Sequence, residues 1–479
     1  MTHPASAPAV VVDDGIAPEV PPPVQRTDRR FWALLALLVL AGLFIRVDAV
    51  RNVAPPVPAL GDAHAYHVLG DNLAHGRGYI RPYDWERSGT RVPTAEYPPA
   101  LPVVFAVGDR VGLSGEESQR ILMCGIGSLT VLLVGLATRR LAGPSAGLLA
   151  AAVAAAYPML WAADAAAMPE TLAALVGAGV LLLALRARES TSWRWWLGLG
   201  LALGAGALVR SEALFLAPIL VIPLAWRMRP AAQAHAVDAA HDLDPRRRVV
   251  LGLVALVGAG IVVLPWTIRN EVTFHSFVPV SNNVGSVARG ANCDLAYHGQ
   301  FEGLWVTSVG DQAGLSTVDP GNACFSGFPI RHDVNEAQAA DKLRSAGVHY
   351  ARTHLGDLPG VVAARIGRTF GVYRFTQQTN FAGVEGRSVP WERRGTRMFQ
   401  ALFLLGIAGV VVLWRRRAAV WPLVAPMVVV LGTVAFTYGN QRFRAGAEPA
   451  TIVLAVVALV AAWDAAVARW APPRADPPA

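Results

Sequence analysis

The sequence predicts a polytopic α-helical membrane protein of about ten transmembrane helices with a small mixed extracytoplasmic domain. Three observations predict it. Hydrophobic residues fill 53% and charged residues 16% of 479 positions, with a mean hydropathy of +0.39, too apolar for a soluble chain of this length. Apolar runs recur near 31–45, 118–138, 144–161, 168–185, 195–209, 212–226, 249–267, 398–414, 419–437 and 449–468. Short arginine clusters fall on alternate connections between them, the mark of cytoplasmic loops. The net charge of +8 does not point to nucleic acid, because the basic residues sit in these clusters and set topology. Of 42 basic residues only Lys342 is a lysine. The arginine and alanine excess reads as the composition of a high-GC bacterial genome, and the expected location is the bacterial plasma membrane.

Residues 1–25 are rich in Pro, Ala and Val and predict a disordered cytoplasmic tail. Arg26, Arg29 and Arg30 precede the first apolar run, which resembles a signal peptide. The long tail and the many later spans favour a retained helix. An N-terminal membrane module then runs over 26–267 and includes an outer loop, 47–117. The apolar piece 98–107 is too short to span and is placed in the interface. The runs 195–209 and 212–226 are also short, and are read as a hairpin that need not cross fully. Residues 268–397 are too long for a connector and predict an extracytoplasmic domain. There 275–330 reads as irregular or short strands, 334–355 as an amphipathic helix capped by Asp333, and 358–370 as a second helix. A C-terminal membrane module, 398–468, and a cytoplasmic tail, 469–479, close the chain. With both termini inside, Arg139–Arg140, the Arg186–Arg194 cluster, the Arg227–Arg248 clusters and Arg415–Arg417 all fall on the cytoplasmic side. Cys293 and Cys324 both fall outside, and a disulfide between them is expected in an oxidising compartment. It would close a loop of about thirty residues, worth roughly 3–4 kcal/mol in the chain-entropy view.

The same topology sends the polar interruptions of the apolar pattern to the opposite, outer face. Asp62 opens the polar stretch GDAHAYHVLGDNLAHGRGYIRPYDWERSGTRVPTAEYPPA. Tyr66 and His67 follow it at near-helical spacing, whereas Asp71 is half a turn out of phase. Glu96 lies in EYPP, Glu170 in MPE, Arg210 and Glu212 in RSE, Arg269 and Asn270 in PWTIRN, and Arg442, Arg444 and Glu448 in RFRAGAEP. Each has a plain structural reading: Asp62 as an N-cap, Arg210 and Glu212 as a mutual pair, Glu170 as first-turn helix chemistry, Arg269 as a snorkelling residue beside Trp266. Together they form a ring of acids and arginines around one outward cavity. Such a ring suits an anionic ligand, with carboxylates left for proton transfer.

The segments GDAHAY, LAHGRGY, EYPPALP, MPE, RSEALFLAP, PWTIRN and RFRAGAEP, in that order, resemble the family-39-like glycosyltransferases of the GT-C superfamily, over about residues 31–455. That group includes protein O-mannosyltransferases and aminoarabinose lipid A transferases. The resemblance implies a GT-C fold and a hexosyl- or pentosyltransferase using a polyprenyl-phosphate-sugar donor at the membrane. The acceptor would be a glycan, lipid or protein on the extracytoplasmic side. It also implies a catalytic acid in the first outer loop, the position of Asp62. Better-known members carry an Asp-Glu pair there, and this chain has Asp62-Ala63. The departure leaves a second acid, Glu96 or Glu170, and the use of a divalent metal open. Chemistry supports the same assignments without the family. A carboxylate can take the proton of an acceptor hydroxyl, and Arg210, Arg269, Arg442 and Arg444 match the planar recognition of phosphate. Neither a P-loop nor a dinucleotide-type glycine pattern is present, so a soluble nucleotide-sugar donor is disfavoured. The competing classes are a transporter or flippase of a lipid-linked sugar, and a scaffold. Transporters favour repeats and midplane polar groups, while a scaffold needs no acids.

Overall fold

The computed structural model describes residues 26–58, 61–227, 244–306, 324–325 and 335–470. The expected tail 1–25, the expected cap Asp333 and most of the 469–479 tail lie outside the described residues. In chain order the α-helices are α1 Arg26–Asn52, α2 Asp62–Ala74, α3 Pro82–Ser88, α4 Ala100–Arg110, α5 Glu116–Ala156, α6 Pro158–Ala165, α7 Glu170–Arg188, α8 Trp193–Val209 and α9 Leu216–Trp226. They continue as α10 Pro245–Phe274, α11 Val284–Ala291, α12 Asp294–Tyr297, α13 Glu336–Thr353, α14 Leu358–Thr369, α15 Phe375–Val384, α16 Val389–Arg415, α17 Trp421–Phe436 and α18 Glu448–Trp470. Among the described residues the only β pairing is the isolated bridge Ile80–Pro93.

Every apolar run is helical. Among the described residues six helices are long and apolar enough to cross a membrane: α1, α5, α7, α10, α16 and α18. Ser211–Trp226 and Trp421–Phe436 are shorter apolar helices. The runs 118–138 and 144–161, expected as separate spans, form the two limbs of α5, the second of which ends at Ala156. Gly143, at φ 88°, turns that helix back on itself ahead of Pro144. Gly147 consequently lies against Gly135 and Arg139. A residue with a side chain is strained in that left-handed region, so glycine suits the turn. The outward faces keep large apolar side chains exposed, among them Leu40 and Phe44 of α1, Ile261 of α10 and Leu404 of α16. In a chain this apolar such faces belong against lipid.

Small residues let the helices approach closely. Gly200 and Gly204 of α8 rest on the backbone of Ala255 and Ala259 in α10, and Gly409 of α16 rests on Leu454 of α18. Small residues at helix seams are how helices associate when lipid is as apolar as leucine. The 139–140 connection, the end of α7 and the start of α1 share one end of the bundle. Arg139 stacks 4.2 Å over Phe31 at the start of α1, and Arg140 pairs with Glu189 just past α7.

Residues 268–397 differ from the expectation in one respect. Their described part between 275 and 306 is short helices and 3₁₀ turns rather than strands. Helix α13 begins at Glu336 and is capped by Asn335, whose side chain accepts from the backbone N–H of Ala337 and Gln338. Helix α14 falls where the second helix was expected. Cys293 and Cys324 are disulfide-bonded, with their Cα atoms 5.5 Å apart. Cys124 is free and buried.

Candidate active site

Asp62 is the first residue of α2, and the capping position belongs to Gly61. No side-chain cap forms there, so the carboxylate is free for other work. Tyr97 donates its hydroxyl to Asp62 Oδ1 at 3.1 Å, and Arg442 Nη1 lies 3.2 Å from Oδ2. The side chain of Asp62 remains 40% exposed. Tyr83 fixes the approach to it by bonding both the N–H and the carbonyl of Gly61, at 2.6 and 2.7 Å. Tyr66, one turn along α2, packs edge-on against Tyr97 with ring centroids 4.9 Å apart. His67 does not share that face. Its ring turns to Gln119 on α5, 2.9 Å away, because the fifth position has rotated past the Asp62 direction. Asp71 faces away as its spacing implies and pairs with Arg77 and His75.

Arg442 also contacts Glu385 Oε1 at 3.2 Å and donates from Nη2 to the hydroxyl of Tyr438 at 3.1 Å. Beneath it a second tier is almost fully buried. Glu170 accepts from Arg210 Nη1 at 2.9 Å and lies 3.3 Å from Arg387, and Arg210 holds Glu212 through Nε at 2.5 Å. Arg387 in turn faces Glu392 at 3.7 Å. Asp62, Glu170, Arg210 and Arg442 therefore converge as the sequence predicts. Arg210 and Glu212 do pair, while Arg210 is at the same time a member of the wider ring. Glu170 opens α7 behind a tight turn in which Ala167 has φ 54°. A non-glycine residue held in that region carries strain, of the kind that clusters at functional sites. The turn is fastened by Asp164, which accepts from Thr171 at 2.7 Å and pairs with Arg46 at 2.7 Å.

Besides His67, three of the expected site residues are not in the ring. Arg269 Nη1 donates to the Thr94 carbonyl at 2.7 Å and Nη2 to that of Tyr79 at 3.1 Å, with its guanidinium 5.0 Å from the Trp266 ring. It neither snorkels nor faces Asp62, and clamps the loop that leads to Tyr97. Asn270 assists by donating to the carbonyls of Val278 and Val280 at 3.1 and 3.4 Å and accepting from Arg269 at 3.0 Å. Arg444 is fully buried, bonded to Glu448 at 3.1 Å and 3.5 Å from the Phe399 ring centroid. It braces the start of α18.

Glu96 sits in the wall above Asp62. Its side chain is exposed at the surface. Neighbouring protein that displaces water, with the negative charges of Glu336 and Asp62 and against the opposing Arg81, pushes its carboxyl up to about 7. Glu336, the first residue of α13, holds the same loop. It accepts from the Ala95 N–H at 2.7 Å, from Asn282 at 3.0 Å and from Arg81 at 3.3 Å. Burial raises the carboxyl of Glu385, with Arg442 and Arg387 opposing. It also lifts the hydroxyl of Tyr97 well above its ordinary range, with Asp62 adding to the effect, so that Tyr97 is a donor. Among the described residues no His, Cys, Asp or Glu group is arranged as a metal site. Between Asp62 and Glu385 lies the guanidinium of Arg442.

From Arg210, Glu212 and Phe443 an apolar groove runs along the membrane helices, lined by Val176, Val180, Leu203, Leu216, Val429 and Val430 among others. Val180 is ten positions beyond Glu170 in α7, so the groove reaches about 15 Å below the ring at 1.5 Å per residue.

Sequence reasoning missed Glu385, Arg387 and Glu392. They lie in a segment that is polar throughout, where an acid or an arginine is not an interruption. Four of the residues it found were visible because each breaks an apolar run.

Residues 96–237 match the family model of dolichyl-phosphate-mannose-protein mannosyltransferases. No curated protein matches the chain by sequence. The apo oligosaccharyltransferase of Archaeoglobus fulgidus is similar in structure, with a TM-score of 0.51 at 13% identity, over 91% of this chain and 51% of that one. The same enzyme, AglB, in complex with an inhibitory peptide and a dolichol-phosphate gives 0.50 at 13% identity, over 94% and 53%. ArnT from Cupriavidus metallidurans, bound to undecaprenyl phosphate, gives 0.40 at 18% identity, over 94% and 81%. The chain spans about half the length of the archaeal structures. At such identities the likeness is one of fold. The chain is thus a multi-pass membrane protein that shares its fold with the archaeal oligosaccharyltransferase over most of its length, and within it residues 96–237 are similar to the dolichyl-phosphate-mannose-protein mannosyltransferases.

Proposed function

We propose that this protein transfers a sugar from a polyprenyl-phosphate donor to an acceptor hydroxyl at the outer face of the membrane. The observation that carries the reading is the position of Asp62. Its partly exposed carboxylate touches Arg442, which with Arg210 belongs to one ring of charges. From that ring an apolar groove descends. The sugar-phosphate end of a lipid donor needs guanidinium groups, and its chain needs an apolar channel at membrane depth. The archaeal relative holds a dolichol-phosphate, which supports a donor of this class here.

In this reading the acceptor oxygen attacks the anomeric carbon while Asp62 takes its proton. The carbon–oxygen bond to phosphate breaks, and polyprenyl phosphate leaves with the bonding electrons. Arg442 and Arg210 face the negative charge that grows on the leaving phosphate. Tyr97 holds Asp62 in place, and Glu96 and Glu170 are the candidates for a second acid. The same reading gives ten crossings, with the arginine-bearing end in the cytoplasm.

The decisive experiment is transfer by the purified protein from a radiolabelled polyprenyl-phosphate sugar, with wild type beside Asp62→Asn. Asparagine keeps the shape and loses the base, so turnover is expected to fall by about 10²–10⁴-fold while the protein stays folded. Turnover within about twofold of wild type would pass the role to Glu96 or Glu170.

A further inference from the structure

Arg442 is poorly used where it stands. Its Nη1 is 3.2 Å from both Asp62 and Glu385, longer than the 2.7–2.9 Å of a well-made charge-assisted bond. Its Nε is buried and has no acceptor among the described residues. Only Nη2 makes a single neutral bond, to Tyr438. Glu385 is better anchored than Arg442: its Oε1 also accepts from Asn440 at 3.1 Å, and its side chain is 11% exposed. The acids of the two tiers, Asp62, Glu170, Glu212 and Glu385, outnumber the arginines Arg210, Arg387 and Arg442. An anion enters such a ring only if a carboxylate gives up its guanidinium.

We propose that Glu385 is a positioning residue that competes with the donor phosphate for Arg442, so that donor binding takes Arg442 off both carboxylates and uncovers Oδ2 of Asp62. This rests on the transferase reading above and adds an order to it. A phosphate oxygen pair satisfies the Nε edge of the guanidinium bidentately, which neither carboxylate does; that edge is buried where Arg442 stands, so the guanidinium must turn to present it, and Nη1 leaves both carboxylates. Until then Arg442 covers the oxygen that would receive the acceptor proton. Donor occupancy therefore precedes a competent base, which guards the site against idle proton transfer when no donor is bound.

The test measures the Kd of undecaprenyl phosphate in detergent micelles at pH 8, for the full-length protein and four variants. Glu385→Gln is expected to bind about three- to tenfold tighter, because Arg442 loses a competitor. Arg442→Gln is expected to bind at least about tenfold weaker. Asp71→Asn removes an acid of α2 that faces away from Arg442 and pairs with Arg77 and His75, and is expected to stay within about twofold. A merely structural Glu385 would never tighten binding when removed. Where Glu385→Gln does not fold, Glu385→Asp takes its place. It keeps the charge but withdraws it by one methylene, and still binds about two- to threefold tighter. Equal or weaker binding by the Glu385 variant, with Arg442→Gln still weakened, overturns the competition and leaves the transferase reading standing. Equal tightening in Asp71→Asn also overturns it, in favour of a general field effect. Absence of saturable binding by wild type overturns both.

Discussion

At the scale of single residues, Tyr97 and Glu96 are adjacent in sequence and do opposite work. Tyr97 turns inward to bond Asp62 and pack on Tyr66, and Glu96 is exposed. Tyr97→Phe keeps the ring contact and deletes the hydrogen bond to the carboxylate. It is expected to lower kcat about tenfold, since a hydrogen bond to a charged group is worth about 1.5–3 kcal/mol. Loss confined to KM would show instead that Tyr97 serves substrate binding. Glu96 supplies a pH signature. Its carboxyl is raised from 4.5 to about 7, so the folded protein holds a proton there that the unfolded chain has released. That contribution to stability is complete below about pH 4.5 and disappears as pH rises through about 7. The melting temperature of the wild type should therefore fall across this window more than that of Glu96→Gln. Parallel curves for the two proteins would show that Glu96 titrates normally. Residue identity was legible in the sequence wherever charge interrupted hydrophobicity: Asp62, Glu170, Arg210 and Arg442. What could not be read was direction. Arg269 and Arg444 carry the same signal, yet one bonds loop carbonyls and the other an acid one turn away.

At the scale of elements, the seams between helices depend on the absence of side chains. A Cβ placed on Gly409 would stand 2.0 Å from the carbonyl oxygen of Leu454. Backbone cannot yield as a flexible side chain can, so α16 would have to move away from α18. Gly409→Ala is expected to cost about 1–3 kcal/mol of stability, the range for forcing extra volume into a packed seam. Thermal melting of the detergent-solubilised protein measures it. A melting temperature equal to wild type would mean that the seam opens without cost. Apolar runs made the long helices legible. The turn at Gly143 was legible too, because Arg139–Arg140 and the Gly143-Pro144 pair separate the runs 118–138 and 144–161. By contrast, the short helices of 284–301 lack an apolar period long enough to mark them.

At the scale of the molecule, two ends can be told apart by contacts alone. The ring of Asp62, Glu170, Arg210, Arg387 and Arg442 defines one. Arg140 with Glu189, and Arg139 over Phe31, define the other. Helix α16 joins them: Glu392 in its first turn faces Arg387, and Arg415 ends it. Its 27 residues make about 40 Å of helix, against a hydrocarbon core of about 30 Å. Helix α13 belongs to the ring end, since Glu336 bonds the loop beneath Glu96. Which end faces the cytoplasm follows from the positive-inside rule. Lys342 on α13 and Arg416 just past α16 are both exposed, so a cysteine at each tests that assignment. The background is low, because Cys124 is buried and Cys293 and Cys324 are bonded to each other. In intact cells a membrane-impermeant maleimide is expected to label Lys342→Cys, and to reach Arg416→Cys only after permeabilisation. The reverse pattern would invert the protein and put the site in the cytoplasm, where the proposed donor chemistry would have to be abandoned. Labelling of both from outside would mean that α16 does not cross, contrary to its length.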